Sequence, residues 1–212
     1  QTKIFSLSQA IKRGDIINRI EFVRADILSL EVDAIVIPIN TNLDFGAVGR
    51  QLHERLGSSL SVKLLNQPRP SIGEILVIDA NPLPASHLFF TPINYARFAR
   101  PSTILQGINA ALNKAINLSD VRTIAFPSLG TGALGFNPSD LALEILKIVR
   151  KHLENENKLE KVIFTLVDEA AYQAYISAYQ MLLLETSLLY EVLIAIPPKV
   201  LILGEEIEIS VN

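Results

Sequence analysis

The segment Ser128-Leu129-Gly130-Thr131-Gly132-Ala133-Leu134-Gly135-Phe136 places three glycines within six residues, between an apolar run and a helical pattern. Glycines at that density let backbone N–H groups turn toward one point, and a following helix adds the positive end of its dipole. Such a loop can cradle a phosphate or diphosphate; it can also be a tight strand-to-helix turn. Gly130-x-Gly132-x-x-Gly135 fits the dinucleotide fingerprint literally, but that fingerprint needs an acid about 20 positions further on. The nearest acid in that context, Asp168, stands 33 residues beyond Gly135. A Rossmann dinucleotide site is therefore disfavoured. A P-loop is excluded, because no Gly is followed by Lys.

Asp26 and Asn40 each follow a strand-like run, which places them at the sheet edge where open α/β folds bind ligands. An acid there can accept from an exocyclic amine, and an Asn can bond a hydroxyl. Both residue types also form turns after strands. The histidines give no metal site: His53-Glu54 begins like a zincin motif, but position 57 is Gly. His53 is expected on the polar side of its helix, and His152 is expected to be solvated near a helix end. Ser128 lacks the surroundings of a nucleophile elbow.

The elements that position these residues alternate. Ile20 to Arg24, Ala34 to Ile39, Ile75 to Ile78, Leu88 to Phe90, Thr123 to Phe126 and Val162 to Leu166 read as strands, the second apolar enough for a central buried strand. Gly46 to Leu56, Ile104 to Leu118, Pro138 to Leu153 and Glu169 to about Leu183 read as helices, with Ser102 and Asn137 placed as N-caps. This alternation implies an α/β layered sheet with helices on both faces.

Composition narrows the class. The chain has 212 residues, 49% apolar and 19% charged, too apolar for disorder. Its net charge of −3 offers no overall basic surplus for nucleic acid, so no nucleic-acid partner is expected. With no cysteine, disulfide frameworks, thiolate zinc sites and thiol catalysis are all excluded. No uncharged run of membrane-spanning length occurs and no signal peptide is read, so the expectation is a cytoplasmic, intracellular protein without a membrane partner. Residues 185 to 212 carry five Glu against Lys199, leaving +1 on residues 1 to 184. Pro197-Pro198 and Gly204 punctuate the apolar pieces Val200 to Leu203 and Ile207 to Val211 there. Residues 1–184 are expected to form one domain, and 185–212 a β-rich extension or the start of another.

In order and spacing, four segments resemble the macro domain, the ADP-ribose-binding family. Arg24-Ala25-Asp26-Ile27 resembles its first-loop Gly-Asp-Ile, and Val32 to Asn40 its "VDAIVNAAN" strand. Gly73 to Val77 resembles the Gly-containing fourth-strand segment, and Ile124 to Phe136 the "IAFPxIxTGxxGY" loop. The likeness runs from about residue 18 to 184 and implies a three-layer α/β/α fold with a mixed sheet. It also implies roles. Asp26 accepts the adenine N6 amine, with the Ile27 backbone beside it. Asn40 contacts the distal ribose. Gly46, Ala47 and Val48 form one diphosphate loop, and Gly130, Thr131, Gly132, Ala133 and Leu134 the other. Val167 and Asp168 lie against the adenine. The implied partner is ADP-ribose or a related nucleotide, free or on an ADP-ribosylated protein, with no cofactor and no metal.

The chain also departs from the family. Hydrolytic members carry a Gly-rich run and then Val-Asp; here the run is Asp44-Phe45-Gly46-Ala47, then Val48-Gly49, so the water-activating acid is absent. The stretch from Asn42 to Gly57 is more similar to the macro domains fused to histone variants, which bind without hydrolysing. Leu134 and Val167 stand where members often place aromatics, and base–aromatic stacking is worth about 1–3 kcal/mol. The resemblance thus implies a binding module, with no catalytic residue assigned. An ADP-ribosyl or O-acetyl-ADP-ribose hydrolase and an interaction domain with a degenerate pocket are the alternatives. If the loop cradles a diphosphate, Gly132→Glu abolishes ADP-ribose binding through bulk and like charge while the melting temperature holds. If the loop is only a turn, the same variant melts lower with little ligand-specific loss.

Overall fold

The computed structural model describes residues 3–5, 16–95, 98–130, 134–155, 158–195 and 207–209. The chain runs β1 (Lys3–Phe5), β2 (Ile20–Val23), a 3-10 turn (Ile27–Ser29), β3 (Ala34–Asn40), α1 (Ala47–Leu56), α2 (Ser58–Leu64), β4 (Leu76–Asp79) and β5 (His87–Asn94). It continues through α3 (Pro101–Asn117), β6 (Thr123–Pro127), α4 (Pro138–Asn155), β7 (Lys161–Thr165), α5 (Glu169–Ala195) and β8 (Ile207–Ile209). Six strands form a mixed sheet in the order β2-β7-β6-β3-β5-β4; only the β4–β5 pairing is antiparallel. β1 and β8 pair antiparallel in a separate two-stranded ribbon.

β3 is apolar along most of its length because it packs on both faces. Ala34 and Val36 join one core with Ile104, Ile108 and Leu112 of α3, Ile145 and Val149 of α4 and Tyr175 of α5. Ile35, Ile37 and Ile39 join the other with Leu52 and Leu56 of α1 and Leu60 of α2. The period-2 alternation of the strand thus sorts side chains into two cores and yields three layers.

The sheet opens where it matters. β3 pairs with β5 as far as Asn40↔Asn94. With β6 it pairs through Ala34↔Ile124 and Ile35↔Ala125. Pro38, which has no N–H for a ladder, lies beyond that last β3–β6 pair. The chain also fills the β5 side first and then crosses to β6. The carboxyl ends of β3 and β6 therefore flank a topological switch point, where open α/β sheets bind ligands.

Several sequence expectations change here. Ser102 is not a cap: Arg100 takes the N-cap position of α3, because Pro101, with its fixed φ, occupies the first helical position. Asn137 does cap α4, accepting from Ser139 N at 3.0 Å. α5 does not stop near Leu183 but continues to Ala195, so residue 184 lies inside a helix. His152 is half-buried and bridges helices, its Nε2 3.1 Å from Asn113 Oδ1 and its Nδ1 3.0 Å from Ile148 O. The expected strand Val200 to Leu203 lies outside the described residues. No helix among the described residues is long and apolar enough to cross a membrane.

Asp33 staples the entry of β3 to β6. Its Oδ2 accepts from Arg122 N (2.9 Å), Thr123 N (2.8 Å) and the Thr123 hydroxyl (2.8 Å). Burial works to raise its pKa, but these hydrogen bonds outweigh it and hold the carboxyl below the usual carboxylate range. Stability from a depressed carboxyl is complete above the unfolded value, about 3.9, and disappears as pH falls through the folded one. Asp33→Ala is expected to cost about 1–2 kcal/mol near neutral pH, allowing for partial exposure. Denaturant melts across pH should show the gap to the parent narrowing below about pH 4.

Candidate functional site

Two lobes of one cleft occupy the switch point. The proximal lobe, about 690 Å³, is walled by Arg24, Asp26 and Ile27 after β2, Gln51, Glu54 and Arg55 of α1, and Val167 and Asp168 after β7. The distal lobe, about 260 Å³, is walled by Asn40, Asp44, Phe45, Gly46, Arg50, Asn94, Gly130 and Leu134. Ala47, Val48 and Ser128 line both lobes, so the lobes meet at the first turn of α1.

That turn is electropositive by construction. The bond from Arg50 N to Gly46 O, 3.0 Å, begins the helix ladder, so the N–H groups of Ala47, Val48 and Gly49 have no intrahelical acceptor. No side chain caps them and no acid sits in the first turn. The helix dipole and these donors favour an anion at the junction. Opposite, Phe136 N donates to Gly130 O at 3.0 Å and closes the glycine loop.

Asp26 and Asn40 are both turn formers and cleft residues. Asp26 Oδ1 accepts from Leu28 N at 3.0 Å, which caps the 3-10 turn, while Oδ2 pairs with Arg55. Two bonds leave a carboxylate with acceptor capacity for a ligand amine. Asn40 is 9% exposed; its Oδ1 accepts from Asn42 N and Asp44 N, both at 2.9 Å, and its Nδ2 donates to Asp44 Oδ2 at 2.8 Å. One of its two amide hydrogens is thereby committed to Asp44.

The other predicted residues divide between the lobes. Ile27, Val167 and Asp168 join Asp26 in the proximal lobe, while Gly46, Gly130 and Leu134 join Asn40 in the distal one. Ala47 and Val48 stand between them. Val167 is 76% exposed, and Asp168 caps α5 by accepting from Ala171 N at 2.9 Å. Thr131, Gly132 and Ala133 lie outside the described residues. Sequence reasoning missed Arg24, Arg50 and Arg55. Arg24 Nη2 pairs with Glu169, and that hydrogen bond holds the Glu169 carboxyl below the usual carboxylate range. It also missed what fills the space at Gly49. A Cβ on Gly49 would stand 2.7 Å from Phe45 Cβ and 2.8 Å from its Cδ1, so Phe45 occupies that space. Among the described residues, no three His, Asp or Glu gather to hold a metal ion.

A mixed six-stranded sheet between two helical layers, with a bilobed cleft at a helix N-terminus, sets the class of α/β protein, and comparison specifies it. The Macro domain family model matches residues 36–146. Macro domain-containing protein CT2219 of Chlorobaculum tepidum is 31% identical over 159 residues, covering 74% of this chain and 92% of that protein. ADP-ribose glycohydrolase MACROD2 of Xenopus laevis is 30% identical over 168 residues, 77% of this chain; the match spans 40% of the Xenopus protein's length. The Trypanosoma brucei macrodomain solved in complex with ADP-ribose superposes with a TM-score of 0.69 at 26% identity, over 76% of this chain and 69% of that one. The chain belongs to the macro domain family.

The two cleft glycines differ in what they tolerate. Gly130 has φ +80°, and a Cβ there would stand 2.5 Å from Ile104 Cδ1 and 3.1 Å from Leu141 Cδ1. At Gly46, with ordinary φ, the nearest atom to a Cβ is Pro38 O at 4.0 Å. Gly130→Ala is expected to lose about 1–3 kcal/mol in a thermal or denaturant melt, whereas Gly46→Ala should melt with the parent.

Proposed function

We propose that this chain is a binding module for ADP-ribose, free or carried on protein as mono-ADP-ribose. The observation that carries the reading is the meeting of two lobes at the first turn of α1, where Ala47 and Val48, whose amides have no intrahelical acceptor, line both. A ligand with an anionic centre and a polar group at each end fits that plan. The diphosphate lies at the α1 N-terminus and the 130–134 loop. The adenosine fills the proximal lobe, its N6 amine donating to Asp26 beside the Ile27 backbone. The distal ribose enters the lobe shaped by Asn40. Arg55 orients the Asp26 carboxylate and leaves it able to accept. The likeness to the trypanosomal domain solved with ADP-ribose supports this assignment.

The alternative is hydrolysis of an ADP-ribosyl or O-acetyl-ADP-ribose bond. Relatives named ADP-ribose glycohydrolase and, in Klebsiella pneumoniae, O-acetyl-ADP-ribose deacetylase favour it. Asp44, in the distal lobe, is the acid such a reaction would have to use. Against it, Asp44 is hydrogen-bonded to Asn40, and Phe45 fills the space beside Gly49. A third reading, an interaction domain whose pocket no longer binds, draws on the exposed aliphatic Val167.

Asp26→Ala is expected to weaken ADP-ribose by about 1.5–3 kcal/mol, the scale of a hydrogen bond to a charged group. Asp26→Asn, which keeps an acceptor for Leu28 N, controls for loss of the turn. Unchanged calorimetric affinity in folded Asp26→Ala removes Asp26 from the site. Turnover of mono-ADP-ribosylated protein should stay at background; robust release that Asn40→Ala abolishes would establish the hydrolase instead.

A further inference from the structure

A purine needs a flat face as well as a partner for its amine. Among the described residues, none that walls the proximal lobe carries an aromatic ring; the wide planar groups there are the guanidiniums of Arg24 and Arg55. Arg55 is spent on the edge of Asp26. Arg24 is held differently. Its Cζ lies 4.5 Å from the centroid of the Tyr172 ring, and its Nη2 pairs with Glu169. Glu169 also accepts from Gln173 Nε2 at 2.8 Å.

The surrounding backbone fixes this clamp. Asp168 caps the turn of α5 that carries Glu169 and Tyr172, and Tyr172 N donates to Asp168 O at 3.0 Å. On the other side, Leu166 N donates to Val23 O at 2.9 Å, tying the end of β2 to the end of β7. The Tyr172 ring backs the guanidinium, its centroid 4.5 Å from Cζ. The Arg24 side chain remains 48% exposed and walls the cleft, so part of it is left available to a ligand in the lobe. Glu169 offsets its charge, which leaves the plane as what Arg24 chiefly presents.

We infer that Arg24, clamped between Tyr172 and Glu169, is the stacking face for the purine of the bound nucleotide, the part that the aliphatic Val167 does not supply. The inference rests on the ADP-ribose reading above and adds a specificity residue to it. It also gives Asp168 a positioning role, acting through Tyr172 and Glu169.

The test separates plane from charge. ADP-ribose affinity is measured by calorimetry for the parent, Arg24→Ala, Arg24→Lys and Arg24→Trp, with a melting temperature for each. A stacking role predicts that Ala and Lys both weaken binding roughly five- to tenfold, while Trp recovers most of the loss. Full affinity in Arg24→Lys assigns the effect to charge and overturns the inference. So does full affinity in Arg24→Ala, or a Trp variant that melts with the parent but binds like Ala. If the parent protein fails to bind ADP-ribose, the functional reading itself falls and this inference with it; a parent that binds alongside an unaffected Ala variant removes the inference alone.

Discussion

The first turn of α1 sets the terms for the rest of the site. Its N–H groups have no acceptor within the helix, and a donor left dry and unpaired costs about 1–3 kcal/mol. They can stay unpaired by protein only where water or an anion reaches them. The fold supplies that place by parting β3 from β6 beyond Ile35, with Pro38 unable to extend the ladder. On the reading proposed above, the anion site is a consequence of where two strands separate. Arg24, Arg50, Arg55 and Gly130 line the lobes that meet there.

The residues best suited to touch a ligand also hold the walls. Asn40 spends its carboxamide on the 40–44 loop, and Asp26 caps the 3-10 turn while pairing with Arg55. Gly130 keeps a left-handed φ in space that Ile104 and Leu141 close around. A ligand thus meets groups already positioned, which reduces the ordering cost of binding. For the same reason a variant here needs a melting temperature beside its affinity, because lost binding and lost architecture otherwise look alike.

Local pattern made much of this legible in the chain itself. The run from Ala34 to Ile39 announces a buried central strand, and Gly130 and Gly135, both at positive φ, announce a turn between β6 and α4. Asp26 and Asn40 stood out by following strands. What escaped were contacts with no local signature. Arg55 reaches Asp26 across 29 positions, and Arg24 reaches Glu169 across 145. Nothing in composition says that Phe45 fills the space at Gly49, since that depends on how the loop folds back on the helix. The end of α5 is not legible near Leu183, because Glu185, Thr186, Ser187 and Glu191 interrupt the apolar run and leave no single stripe to follow. The side chain of Ser102 suits a cap, yet the proline before it decides where the helix starts.

On the proposed reading, one ligand spans both lobes through the amides at their junction. Calorimetric titration of the protein with ADP-ribose and, separately, with AMP tests it most directly. AMP can fill the proximal lobe but cannot carry a diphosphate and second ribose across the junction. The account predicts one-site binding of ADP-ribose at least tenfold tighter than AMP, a difference of about 1.4 kcal/mol or more. Equal affinities, or no heat from ADP-ribose with a folded protein, would contradict it.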